Sequence, residues 1–258
     1  MSQLTRSTDA LDFQSVPRPV AAMAKLFEDG HLIVAHRHDR AQLVYAVTGV
    51  MTIDAAAGTW LVPPDRALWI PAGILHEIRV SGRLDMRTLY LRADASAHLP
   101  EDCVVLAVTP LLRELVVRAT QLPALYQEDG PAGSLMDLIL AEIRGLQALP
   151  LHLPTPRDRR LARLCNLVRT DLAANRTRDD YATVVGISPR SLSRLFRSEL
   201  GIGFARWRRR ARLLSALARL QSGESITSVA LASGYESPSA FTAMFKRELG
   251  MLPSRCRK

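Results

Sequence analysis

Apolar and polar positions divide the chain into two differently patterned stretches. Between residues 20 and 80 the apolar residues come in short runs, at 32–35, 43–47, 50–53, 60–62, 67–70 and 78–80. Asp29-Gly30, Thr48-Gly49, Ala57-Gly58, Pro63-Pro64-Asp65, Pro71-Ala72-Gly73 and Ser81-Gly82 separate them. Glycine reaches left-handed backbone freely and proline presets φ, so such clusters read as turns. Many short strands at this spacing predict an all-β sandwich or small barrel over residues 1–100. Beyond residue 91 the period becomes helical. Leu111, Leu112, Leu115, Val116 and Ala119 predict a helix over 109–121. Leu135, Leu138, Ile139, Ile143 and Leu146 predict another over 134–149, with Ser134 as its N-cap. The apolar stripes of this helical pair, 101–150, suit packing within the domain or a self-complementary dimer surface. Pro150, Pro154 and Pro156 then exclude helix and predict an extended, semi-stiff linker over 151–156.

Residues 157–258 hold one pattern written twice. Ser188-Pro189, Leu192, Phe196, Arg197 and Glu199-Leu200-Gly201 recur as Ser237-Pro238, Phe241, Phe245, Lys246 and Glu248-Leu249-Gly250. Each copy predicts a helix, 189–200 and 238–249. A serine hydroxyl caps its first turn, proline takes the position whose N–H has no partner, and glycine ends it left-handed. Leu192, Leu195, Phe196 and Leu200 form one buried stripe, and Phe241, Met244, Phe245 and Leu249 the other. The opposite face of the first carries Arg190, Ser193, Arg194 and Arg197. Shorter helices precede both copies, with Thr177 and Ser225 as N-caps and Gly186 and Gly234 in the turns. The result is two helix-turn-helix patterns, 177–200 and 225–249, joined by a helix over 204–221.

Charge sharpens this picture. Of the net +9, residues 157–258 hold 21 Lys and Arg against 8 Asp and Glu, while residues 1–156 hold 13 against 17. The basic surplus therefore sits with the repeated helices, where it favours phosphate binding with counterion release. A chain of 258 residues accommodates two domains. No apolar run approaches the roughly 18 residues of a membrane span, and residues 1–12 lack the apolar core of a secretory signal. Cys103, Cys165 and Cys256 are odd in number and far apart, which gives neither a disulfide framework nor zinc-finger spacing and suits the cytoplasm.

Residues 159–257 resemble the AraC/XylS family of bacterial transcription regulators. The resemblance rests on Ala182, Gly186, Leu192-Ser193-Arg194-Leu195-Phe196, Arg212-Leu213, Ile226, Ala230, Gly234-Tyr235, Phe241, Phe245-Lys246-Arg247, Gly250 and Pro253. Ala240 stands where the family usually has histidine, Ala243 where an arginine often reads a base, and Cys256 where an aromatic is usual. The resemblance implies an all-α double helix-turn-helix domain that binds double-stranded promoter or operator DNA. It also implies an N-terminal sensor, a homodimer through 101–150, and RNA polymerase as a further partner. In this reading Arg190, Ser193 and Arg194 read bases, since arginine pairs bidentately with guanine. Ser239 and Thr242 contribute more weakly, and Arg197, Lys246 and Arg247 hold phosphates.

A second constellation lies in the β-rich half. Gly30-x5-His36-x-His38-x3-Gln42-x6-Gly49, followed by Pro71-x-Gly73-x2-His76, resembles the two cupin motifs. Residues two apart on a strand share a face, so His36 and His38 point together and His76 can converge on them. Three imidazoles suit Zn, Fe, Ni or Cu and leave open coordination positions. Gln42 stands where metal-binding cupins usually have glutamate, a neutral and weaker ligand in its place. Two readings stay open: His36, His38, Gln42 and His76 hold a divalent metal, or the three histidines hydrogen-bond a small effector or each other in a polar pocket. An oxygenase-like cupin metalloenzyme fused to a DNA-binding domain is the alternative for the whole chain. No second catalytic carboxylate or cofactor loop supports it, so the expected function is regulation without catalysis.

Overall fold

Two long strands carry the first of two units. In the computed structural model, which describes residues 7–149, 151–174, 176–250 and 252–256, these units are Met1–Ala55 with Trp60–Pro150, and Ala56–Thr59 with Leu151–Lys258. The first unit runs β1 (Val20–Phe27), β2 (Leu32–His36), β3 (Ala41–Ala55), β4 (Gly58–Val62, of which Gly58 and Thr59 fall to the second unit), β5 (Arg66–Ile70) and β6 (His76–Leu91). It continues through α1 (Ala93–Ser96), β7 (Val104–Ala107), α2 (Pro110–Ala119), α3 (Pro131–Arg144) and β8 (Ala148–Leu149). The antiparallel sheet follows the order β1-β6-β3-β5-β7-β8, with β2 also on β6 and β4 also on β3. Val20, Leu43, Tyr45, Trp69 and Leu89 from the sheet pack with Leu112, Val116, Ile139 and Ile143 from α2 and α3.

Two predicted turns are bulges instead. Thr48-Gly49 lies inside β3 and Ser81-Gly82 inside β6, at the places where their register shifts. Gly49 and Gly82 have φ of 76° and 75°, and a Cβ on Gly49 would fall 2.8 Å from the Arg83 carbonyl oxygen. Turns and bulges make the same demand for a left-handed residue, so the sequence signal is shared. The bulge divides β6 between two neighbours: residues 84–91 pair with β1 and residues 76–79 with β2. Ser134 is also not a cap. The helix begins at Pro131 with Gly130 as N-cap, and Gly133 passes so close to Glu128 that a Cβ would overlap its carbonyl.

The second unit holds β9 (His152–Pro154), α4 (Arg159–Thr170), α5 (Arg178–Val184), α6 (Pro189–Leu200), α7 (Phe204–Gln221), α8 (Ile226–Ala232) and α9 (Pro238–Leu249). Ser188 and Ser237 cap α6 and α9 through their hydroxyls, with proline next, and Gly201 and Gly250 close them left-handed. Thr177 and Asp180 cap α5 reciprocally. Leu161, Leu164, Val168, Tyr181, Leu192, Phe196, Phe204 and Trp207 form one apolar cluster. Phe241, Met244, Phe245 and Leu249 bury the inner side of α9. The predicted linker is extended and also belongs to this unit's core. Leu153 joins the apolar cluster, the Trp207 indole N–H donates to the Pro154 carbonyl at 3.2 Å, and Glu199 accepts the Arg157 and Asp158 backbone N–H groups at 2.9 Å. Pro150 lies outside the described residues.

Candidate nucleic-acid interface and ligand pocket

The caps and apolar stripe that fix α6 leave its other side outward. Arg190, Arg194 and Arg197 are exposed and Ser193 half-exposed. With Ser188 and Arg178 they line one open concavity. Arg178 is a residue that motif reading misses. It stands on the first turn of α5, donates to the Ser193 hydroxyl at 3.3 Å and pairs with Asp179 at 2.8 Å. Its position just after a predicted N-cap was the available signal. Ser193 also donates to the Pro189 carbonyl at 3.0 Å, so its rotamer is held from two sides. On α9, Ser239, Lys246 and Arg247 are exposed and Thr242 half-exposed. Arg247 lies 3.7 Å from Glu248. That arrangement can present donors to phosphates and base edges from two helices of one unit.

In the first unit the three histidines converge. Their ligand atoms all lie within 4.8 Å of one another. The route differs from the predicted one. β2 ends at His36, which pairs with His76 across the sheet after a register shift, and His38 lies beyond the strand end. The His38 carbonyl accepts the Gly73 N–H at 2.8 Å, which ties that bend to the turn before His76. His36 and His76 each hold Nδ1 against a backbone carbonyl, of Val34 at 2.8 Å and of Ile74 at 2.9 Å. That contact fixes the tautomer with Nδ1 protonated and leaves the Nε2 lone pair outward, as a metal-binding imidazole requires. His38 and His76 are buried, and both Nε2 atoms lack a partner among the described residues. Burial, the largest cause, pushes both down to about 4, with the neighbouring imidazoles adding to the effect, so both are neutral at pH 7.

Gln42 is also buried and comes within this cluster's shell. It is the register partner of Tyr90 on β6 and hydrogen-bonds its side chain, which leaves Gln42 Oε1 unpartnered. Tyr90, held well above the usual phenol range by burial, packs against His38 with ring centroids 5.0 Å apart. A cavity of about 530 Å³ opens beside His36, His38 and Gln42, lined by Met23, Phe27, Ile33, Ile78 and Met86, with Thr8, Asp9, Lys25, Arg37 and Tyr90 as further polar groups. An apolar wall with a few convergent polar groups is the make-up of a small-molecule site. The donor set fits a divalent metal: three converging imidazoles, two of them with Nδ1 held on a carbonyl, two of them buried with Nε2 unpartnered among the described residues, and a neutral amide oxygen beside them.

Fold and sites together define a DNA-binding transcription regulator with its own ligand-binding domain. A helix-turn-helix domain model matches residues 181–258 and an AraC-like ligand binding domain model matches residues 27–129. The chain belongs to the AraC family of transcriptional regulators. It is 29% identical over 220 residues to the HTH-type transcriptional regulator NimR of Escherichia coli, covering 85% of this chain and 80% of that one. It is 31% identical over 138 residues to the E. coli arabinose operon regulatory protein, covering 51% of this chain and 47% of the relative. Among solved structures, ToxT from Vibrio cholerae superposes with a TM-score of 0.39 at 12% identity, covering 92% of this chain and 96% of that one. No helix among the described residues is long and apolar enough to cross a membrane.

Proposed function

We propose that the chain binds promoter or operator DNA as a homodimer in the cytoplasm, and that occupancy of the first-unit pocket sets how strongly it binds. Arg190, Ser193 and Arg194 read bases, Ser239 and Thr242 add weaker contacts, and Arg197, Lys246 and Arg247 hold phosphates. Their outward placement on capped helices supports these roles. The pocket's occupant is a divalent transition metal held by His36, His38 and His76, with Gln42 alongside, and a small effector beside it in the cavity. When bound, the metal supplies an electrophilic centre with open positions. The protein's own residues hold Nδ1 of His36 and His76 on carbonyls, bury His38 and His76, and shape the cavity wall.

One observation carries the pocket reading. Nε2 of His38, Nε2 of His76 and Oε1 of Gln42 are three buried polar atoms without hydrogen-bond partners among the described residues. Buried polar atoms are rarely left unpaired, so something bound there should satisfy them. Metal analysis of protein purified without a histidine tag tests this. The expected result is close to one equivalent of Zn, Fe, Ni or Cu per chain, lost in the His36→Ala/His38→Ala double variant. Equal metal content in both proteins would end the metal reading.

α2 and α3 support the dimer, since they leave Leu111 and Leu138 exposed at 50% and 43% beside an otherwise packed helical pair. Sedimentation at micromolar concentration should show a dimer for the full chain. A monomer only would refute it.

A further inference from the structure

The first helix-turn-helix half of the second unit has an apolar cluster of its own. The cluster built on Leu161, Phe196 and Trp207 includes no residue of α8 or α9 among the described residues. What joins the halves is α7 and the polar side chains that project from it. Arg212, half-buried near the middle of α7, touches both. Its Nε–H donates to the Leu172 carbonyl at 2.9 Å, just past the end of α4. Its guanidinium lies over the Tyr235 ring, 5.8 Å from the centroid. Tyr235 sits in the turn between α8 and α9, its N–H donating to the Ala230 carbonyl at 3.0 Å and its ring edge against Phe241 of α9 at 5.6 Å. The fit is close: a Cβ on Gly234 would fall 2.6 Å from Arg212 Nη2 and 3.1 Å from the Ala173 Cα. One turn earlier on α7, Arg208 donates to the Arg176 carbonyl at 2.9 Å and to that of Ala174. The segment leading into α5 is thus hung from α7 by its carbonyls.

From this geometry we infer that Arg212 is a positioning residue which sets the separation and rotation of α9 relative to α6, and so the spacing between DNA segments that the protein accepts. The inference rests on the reading of α6 and α9 as the two DNA-reading helices. The physical reason is that a planar guanidinium fixes two directions at once, donating in its plane and stacking on its face. A point cation or an apolar stem cannot do both. Successive major-groove segments on one face of DNA lie about 34 Å apart, and inserting one base pair rotates one against the other by about 34°. A rigid bridge should reject that rotation, whereas a loosened one should tolerate it.

The experiment uses the full-length protein. The preferred site is selected from a random duplex pool, then rebuilt with one base pair removed, unchanged or inserted between its two contacted segments. Binding is measured for wild type, Arg212→Met, Tyr235→Leu and Tyr235→Phe. Methionine keeps an apolar stem of similar reach, and phenylalanine keeps the ring. Wild type should lose roughly ten- to hundredfold in affinity on either spacing change, the scale of a lost base contact or more. Arg212→Met and Tyr235→Leu should lose less than about threefold on the same change, while base preference within each segment stays as in wild type. Tyr235→Phe should keep the sharp wild-type profile. A bridge that only stabilises the fold would lower affinity equally at all spacings, and that result would overturn the inference. If Arg212→Met fails to fold, Tyr235→Leu carries the same comparison. If wild type itself shows no spacing preference, the fault lies with the two-helix reading and not with Arg212.

Discussion

Phe196→Ala is expected to unfold the second unit at a temperature at which the first is still folded. Phe196 is fully buried, with its ring 5.4 Å from that of Phe204 and 6.0 Å from that of Trp207. It sits where α6 meets α7, so its removal opens a cavity between the helix that carries the outward arginines and the helix that spans the unit. Truncation of a buried phenylalanine costs about 3–5 kcal/mol, the lost transfer energy plus the cavity left behind. A whole small domain is stable by only about 5–15 kcal/mol, so this one change consumes much of the margin. For a unit of this size the melting temperature should fall by roughly 12 °C or more. Calorimetry of the full chain should resolve two transitions and show only the second unit's moving. A shift of a few degrees would mean that the cluster around Trp207 is not the unit's core. Leu195→Ala is the control, because Leu195 is only partly buried.

The second large effect concerns recognition. Arg194→Ala should lower affinity for the preferred site on the order of ten- to hundredfold and flatten the preference at one or two base positions, since a bidentate arginine–guanine pair discriminates by about 1–3 kcal/mol. Lys246→Ala should behave differently. It should weaken binding to all sequences alike and reduce the steepness of the salt dependence by about one phosphate's worth. Both side chains are exposed and neither belongs to an apolar cluster, so folding should be unaffected and circular dichroism should confirm it. Titrations at several salt concentrations on the selected site and on scrambled DNA separate the two. If Arg194→Ala lowered both affinities equally, its assignment to a base would be wrong. The effect should scale with the concentrated charge of residues 157–258, which gives all DNA binding here a strong salt dependence.

Much of the second unit was legible because its signals are local. Serine-proline starts, left-handed glycine ends and a three-and-four apolar stripe depend on neighbours within a dozen residues. α6, α7 and α9 run over the spans that the sequence predicts. The first unit was less legible because a β-sheet is defined by distant partners. β1 was missed as a distinct strand: its Val-Ala-Ala-Met-Ala-Lys-Leu-Phe run is rich in alanine, which carries little strand propensity, and only pairing with β6 makes it one. Gly49 and Gly82 look like turns in the sequence because backbone hand alone does not distinguish a chain reversal from a bulge. The convergence of His36, His38 and His76 was expected, but not the register shift that brings it about, nor Tyr90 behind Gln42. Arg178 and Arg212 were invisible as contacts, since each acts on residues brought near only by the fold.

The ends of α6 and α9 are alike, while their outer faces differ. Serine, proline, buried stripe and glycine do the work of holding each helix, and Arg190, Arg194, Ser239 and Lys246 stand outside it. Changes at those outer positions cost the scaffold little. With those positions reading bases as proposed, such a division would let a lineage drift from one promoter vocabulary to another through a few codons, without an unfolded intermediate along the way. The same freedom would let an engineer graft a new outer face onto one helix and leave its twin untouched.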